Sequence, residues 1–276
     1  MFGSIRQFLY KNSYIPRTLY KYISDAKVNY YFPELTLAFP KMELLNDPME
    51  GSIEDMLKHL EDVTSQSEMV NYTDTHLVSD EFALGRAIAY SQMVQKLEKN
   101  SRLKTKYELL KYCKNNIGIL SLTKDPLNPL MWSLYANIYN GICIGFDTNK
   151  LLNMTLEVKS PFDNCTKLFQ LLKVKYKDEA PIGKNLTAEE YVISAFGTKF
   201  KKWSHEQEYR FVRPMVDTNA KVLIIPQQTD IITEIYIGQR FSISGFLEKV
   251  PNHTRLFVVK NQPNNYRLSM EEFHRS

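Results

Sequence analysis

Apolar and polar positions alternate over Leu19-Tyr20-Lys21-Tyr22-Ile23, the period of two that marks a strand. A second short strand is expected over Leu35–Phe39, stopped by Pro40, and Asn46-Asp47-Pro48 then predicts a turn. Ser52 is placed to cap a helix beginning near Ile53. Between residues 80 and 115 the period lengthens: Leu84, Ala87, Ile88, Val94 and Leu97, then Leu103, Tyr107, Leu110 and Cys113, fall at helical spacing. Ile117–Thr123 reads as a strand.

Asn128-Pro129 predicts a helix start, a capping side chain followed by proline in the first turn, and Asn140-Gly141 an end near Tyr139. This helix carries two stripes. Leu127, Met131, Leu134 and Ile138 are expected to face the core, while Trp132, Tyr135 and Tyr139 form an adjacent aromatic stripe that needs a partner of its own. Gly141–Asp147 reads as a buried strand and Lys173–Lys177 as another. Thr187-Ala188-Glu189-Glu190 matches a capping box for a helix to about Lys201, and Glu208–Arg213, Val222–Ile225, Ile231–Ile237 and Arg255–Val259 read as strands.

Helices gather early and strands late, without regular βαβ alternation. That order predicts an α+β fold, a mixed or antiparallel sheet core with an inserted helical region at about residues 53–115. No linker, repeat or low-complexity tract divides the chain, so a single domain over residues 1–276 is expected.

A hydrophobic share of 43% and a charged share of 24% are ordinary for a globular chain. A net charge of +4 is too small for a protein that holds nucleic acid by charge alone. The cysteines at 113, 143 and 165 are odd in number and widely spaced, which argues against a disulfide scaffold or thiolate zinc site and fits a cytoplasmic address. No apolar run approaches the roughly 18 to 20 residues of a membrane span, so no transmembrane segment is expected. The amphipathic start, Met1 to Leu9, is expected to pack on its own domain.

Candidate chemistry concentrates in Lys199–Arg210. A strand entered at Glu206 would set Glu206, Glu208, Arg210 and Val212 on one face and Tyr209 and Phe211 in the core. Two carboxylates so close repel, and one is expected to titrate high enough for acid–base work. The competing reading is a solvated edge strand whose charges pair with neighbours. Lys21, on the strand face opposite Tyr20 and Tyr22, is either a solvated lysine or a cation for a phosphate or carboxylate. His59, His76, His205, His253 and His274 lack metal-ligand spacing, so no metal is expected. Dinucleotide-fold, phosphate-loop and hydrolase-elbow glycine motifs do not occur.

These boxes together resemble an uncharacterised bacterial family, the domain of unknown function 2971. The resemblance rests on Tyr20-Lys21-Tyr22, Asn46-Asp47-Pro48-Met49-Glu50, Trp132-Ser133-Leu134-Tyr135-Ala136 before Gly141–Asp147, and Lys199, Trp203 and Glu206–Arg210. It spans about residues 18–240, and Tyr139 stands where the family usually shows His. More distantly, the order of features resembles ADP-ribosyltransferases, especially toxins that modify nucleic acid. That likeness implies NAD as substrate, for transfer or hydrolysis, in a toxin or antiphage effector. Glu208 would then stabilise the ribosyl cation and Glu206 orient the acceptor. Lys21, Tyr22, Trp132, Tyr135, Trp203 and Arg210 would hold the nucleotide-like ligand, and the acceptor would be nucleic acid or protein. Two other readings remain: a non-catalytic ligand- or nucleic-acid-binding module that stacks on Trp132, Tyr135 and Trp203, and a metal-independent nuclease.

Overall fold

Strand β1 (Thr18–Ser24) runs beside β4 (Gly141–Asp147) at the centre of the fold, in register from Thr18↔Asp147 to Ser24↔Gly141. A computed structural model describes residues 15–32, 35–47, 110, 113–115, 117–156, 171–179, 188–214, 221–226 and 229–275. The expected helix from Ile53 and nearly all of the helical region lie outside the described residues, as do Met1–Leu9, Pro48 and Cys165; Leu110 and Cys113–Asn115 are helical.

Along the chain follow α1 (Asp25–Val28), β2 (Thr36–Pro40), β3 (Ile117–Thr123), α2 (Pro129–Tyr135), then β4 and α3 (Thr148–Leu156). Next come β5 (Leu171–Lys173), β6 (Lys175–Lys177), α4 (Ala188–Gly197), β7 (Thr198–Phe200) and β8 (Glu208–Pro214). Strands β9 (Val222–Pro226), β10 (Ile232–Ile237), β11 (Arg255–Asn261) and β12 (Leu268–Phe273) complete the order. The main sheet runs β12-β11-β10-β4-β1-β3-β8-β5, antiparallel throughout except for the β10–β11 pair. Two-stranded sheets β2–β9 and β6–β7 lie beside it. The fold is therefore α+β with a mostly antiparallel sheet, as the element order predicts.

Alternation along the strands sends side chains to two cores. On one face Leu19, Ile23, Leu120, Ile142, Ile144, Phe146, Tyr209 and Phe211 pack with Phe32, Leu37 and Phe39. On the other, Tyr22, Cys143, Tyr236 and Phe257 meet Met131, Trp132 and Ala136 of the α2 region. This second face is aromatic, so α2 lays its aromatic side on it: Tyr22 and Trp132 meet edge to face at 5.2 Å, and Trp132 stacks on Tyr139 at 5.8 Å. Leu134 and Ile138, expected in the core, are exposed.

Helix α2 also stops earlier than its sequence predicts. After Tyr135 the chain turns through Asn137, Ile138 and Tyr139, all at positive φ (46°, 52° and 65°). The turn is tied down by Asp25, whose carboxylate accepts from the Asn137 and Asn140 side-chain amides, and by Arg240 N–H, which donates to the Tyr139 carbonyl at 3.1 Å. Gly238 permits that approach, because a Cβ there would lie 2.2 Å from the same carbonyl.

Two further departures bear on the site. The expected strand at 173–177 is divided between β5 on the main sheet and β6, which pairs with β7. The helix expected to reach Lys201 ends at Gly197, so Lys199 lies on β7, opposite Tyr176. Finally, β1 and β3 share the single registered pair Tyr20↔Thr123, whereas β3 and β8 are registered from Ile117↔Pro214 to Thr123↔Glu208. The main sheet is held at that junction by one registered pair.

Candidate functional site

Lys199 leaves β7 and the chain enters a 3-10 turn, Lys201–Glu206. Gln207 then adopts a left-handed conformation (φ 47°, ψ 46°), and β8 begins at Glu208. Glu206 is therefore the last residue of the turn. This corrects the expectation of a strand entered at Glu206, because a left-handed residue breaks the period of two. Glu208, Arg210 and Val212 keep the shared strand face, opposite Thr123, Ser121 and Ile119 of β3.

The turn brings both carboxylates to one cation. Lys199 Nζ donates to Glu206 Oε2 at 2.6 Å and to Glu208 Oε2 at 3.5 Å, with the Lys199 and glutamate side chains 2% and 5% exposed. Arg210, wholly buried, forks onto Glu208: Nε donates to Oε1 at 2.8 Å and Nη2 to Oε2 at 3.0 Å. Its Nη1 donates to the Phe196 carbonyl at 2.8 Å, near the end of α4. The Glu208 N–H donates to the Tyr176 hydroxyl at 2.7 Å. Charges this deep persist because each is paired and hydrogen-bonded.

Repulsion between the carboxylates was expected to push one of them up. For Glu208 the reverse holds: burial pushes its carboxyl up, but the Arg210 guanidinium, Lys199 and a hydrogen bond from Ser121 outweigh burial and hold it at about 2. Glu208 is ionised throughout the neutral range. It is also enclosed, on a strand flanked by β3 and β5, so the competing reading of a solvated edge strand does not describe it, although its charge does pair with neighbours.

From Glu206 the network runs outward. The Tyr135 hydroxyl donates to Glu206 Oε1 at 2.5 Å, and the exposed Asn46 donates its side-chain amide to the Tyr135 hydroxyl. Tyr135 is half-buried, standing between the buried carboxylate and the surface. The Asn128 amide, at the cap of α2, donates to the His205 carbonyl at 2.7 Å and ties the 3-10 turn to the helix. Trp203, half-exposed, lies under the Lys199 ammonium, 5.0 Å from ring centre to nitrogen.

Lys21 lies on β1 beside its sparse junction with β3, and its Nζ donates to the Ser121 carbonyl at 3.2 Å. Burial lowers its pKa to about 8, against an upward pull from Glu208 and with a further lowering by Lys27. It is thus within electrostatic reach of Glu208, and a second cation, Lys27, bears on it.

Of the residues singled out in the sequence, Glu206, Glu208, Arg210, Tyr135 and Trp203 come together around Lys199, with Lys21 close by. Trp132 and Tyr22 do not. Trp132 is wholly buried and donates its indole N–H to the Pro126 carbonyl at 2.9 Å. Tyr22 is buried, donates to the Asp125 carbonyl at 2.8 Å and accepts from the Asn128 N–H at 3.3 Å. Both pack in the aromatic core between α2 and the sheet. Arg210 is enclosed as well, a partner for Glu208 instead of a ligand clamp. Two participants carry no role in the sequence, Asn46, expected only in a turn, and Tyr176, whereas Lys199 belongs to the Lys199–Arg210 box and becomes the shared cation through the fold. Spacing does not separate Lys199 from Lys201 and Lys202; its burial, which the fold decides, does. Tyr176 has no signal in the sequence.

Comparison with known proteins adds one finding. A family described as a protein of unknown function (DUF2971) matches residues 131–211, a stretch holding Tyr135, Lys199, Trp203, Glu206, Glu208 and Arg210 but not Lys21 or Asn46. None of the curated proteins and none of the solved structures compared matches the chain. The likeness to ADP-ribosyltransferases draws no support from these comparisons.

Proposed function

We propose that this site binds NAD or a closely related dinucleotide and breaks the bond between nicotinamide and ribose, passing ADP-ribose to water or to an acceptor on nucleic acid or protein. The observation that carries this reading is the chain of contacts from Tyr135 through Glu206 and Lys199 to Glu208, with Lys21 in electrostatic reach of Glu208. Tyr135 reaches Glu206, Glu206 shares Lys199 with Glu208, and Lys21 binds the carbonyl of Ser121, whose side chain bonds Glu208. Tyr135 and the two glutamates, distant in sequence, are thus linked through one buried lysine.

The chemistry matches that arrangement. When the glycosidic bond breaks, its electron pair leaves with neutral nicotinamide and positive charge develops on the ribose. A carboxylate fixed in a water-poor site stabilises that charge without having to reorganise. Both carboxylates are buried and hydrogen-bonded through both oxygens, and Glu206 is the one that Tyr135 links to the surface. Glu208 is then a positioning residue that holds Lys199 and Arg210. The attacking water or acceptor hydroxyl loses one proton as the new bond to ribose forms, and the Tyr135–Glu206 pair is the route for it.

The charges of Glu206, Glu208, Lys199 and Arg210 cancel, so Lys21 brings positive charge in excess. Lys27 repels it, and a bound diphosphate relieves that repulsion. Trp203 offers a half-exposed ring for a base.

The test is to incubate the full chain with NAD and measure nicotinamide release by chromatography. Release above the protein-free rate supports the reading; none, across a range of protein concentrations, removes it. A second reading, a non-catalytic binding module, is favoured by the enclosure of Glu208, since a saturated charge cluster also serves as a scaffold. Its prediction is binding of nucleotide or single-stranded oligonucleotide with no turnover.

A further inference from the structure

The 3-10 turn holds a polar atom that the cluster does not use. The His205 Nδ1 lies 3.2 Å from the Lys202 carbonyl, which can only accept, so Nδ1 carries the proton. In the neutral ring Nε2 then bears a lone pair. That nitrogen is shut off from solvent and has no hydrogen-bond partner among the described residues. Leaving a buried acceptor unpaired is costly, and proteins tolerate it mainly where something else completes the bond.

Its position says what that is. His205 precedes Glu206 directly, its carbonyl is anchored by Asn128, and its ring lies 6.0 Å from Trp203 at a tilt of 36°. We propose that His205 Nε2 reads a hydrogen-bond donor on the ligand, accepting from the N–H of a primary carboxamide such as nicotinamide bears. The choice of carboxamide rests on the dinucleotide reading; the unpaired acceptor does not. Nε2 is covered, so the ligand must move a neighbouring group to reach it, and the half-exposed Trp203 ring, 6.0 Å from the imidazole, is close enough for its fluorescence to report binding.

The experiment uses the full chain labelled with nitrogen-15 in histidine, titrated with nicotinamide and with 3-acetylpyridine, which puts a methyl group where nicotinamide has its NH2. The His205 signals are assigned by their loss in His205→Phe. The free protein should show Nδ1 protonated and Nε2 bare. Nicotinamide should shift Nε2, and do so at roughly tenfold lower concentration than 3-acetylpyridine, the order of effect expected when a buried acceptor is left unmet. In His205→Phe the two probes should bind alike by Trp203 fluorescence. His205→Gln, which returns an acceptor near the Nε2 position, should recover the preference and serves if the phenylalanine variant fails to fold. An equal response to the two probes, no response to either, or a protonated Nε2 in the free protein overturns the inference. Nicotinamide release from NAD is measured separately. Discrimination without release leaves His205 a carboxamide reader and removes the transferase; release without discrimination does the opposite.

Discussion

Lys199 donates to Glu206 at 2.6 Å in a setting where the two side chains are 2% and 5% exposed, and the same nitrogen reaches Glu208 at 3.5 Å. One cation thus gathers two carboxylates that come from either side of a left-handed residue. Burial makes the arrangement sensitive: removing one member leaves a charge without its partner.

Glu208→Gln is the most direct case. It takes the negative charge from a fully buried Arg210, and breaking such a pair costs about 3–5 kcal/mol. Urea unfolding should show a fall of that order, against the change under about 0.5 kcal/mol that an exposed glutamate gives. A small change would show that Arg210 has another sufficient partner.

Acid stability follows from the same residue. The folded pKa of Glu208, about 2, lies below its ordinary value of 4.5, so the unfolded chain binds the extra proton between those values. The stabilisation is complete above pH 4.5 and is lost as the pH falls towards 2. Melting temperatures between pH 6 and pH 2.5 should therefore drop, and the part due to this residue should vanish in Glu208→Gln.

Lys21 has the opposite sense. Its folded pKa, about 8, lies below the ordinary 10.5, so the unfolded chain holds more protons between pH 8 and 10.5 and stability from this group rises across that window. Affinity for an anionic ligand should move the other way and weaken as pH rises through about 8, with a bound phosphate displacing that midpoint upward. Calorimetric titration of NAD at pH 7 and pH 9 measures it, and Lys21→Met should flatten the dependence.

Much of the sheet is legible in the sequence, because a buried antiparallel strand carries its own period. Ile117–Thr123 and Gly141–Asp147 are expected and observed with the same ends. Where a segment has two credible faces, the period says less. On α2 the aliphatic and aromatic stripes fit a helix equally well, and the choice falls to the sheet beneath, whose Tyr22, Tyr236 and Phe257 take the aromatic one. The site divides in the same way. The composition of Glu206–Arg210 marks it, but the left-handed Gln207, which decides that the carboxylates meet over Lys199, has no signature in a glutamine. Contacts such as Asn46 to Tyr135 join residues 89 apart and depend on the whole fold.

Gln207 gives a backbone test of that turn. A non-glycine residue at positive φ carries a cost, and β-branching raises it. Gln207→Gly should keep stability within about 1 kcal/mol of the parent, while Gln207→Val should lose at least about 1 kcal/mol more. Equal effects of the two, measured by chemical unfolding, would mean that the left-handed turn is not held in solution.

The role of Glu206 is decided by nicotinamide release from NAD, compared between the parent and Glu206→Gln at matched, saturating NAD. The substitution keeps shape and removes the charge opposite the developing ribosyl cation. Turnover should fall by roughly two to four orders of magnitude while NAD affinity stays within a few-fold, with folding checked by circular dichroism. A folded Glu206→Gln protein that releases nicotinamide at the parent rate, or a parent that releases none, contradicts the assignment.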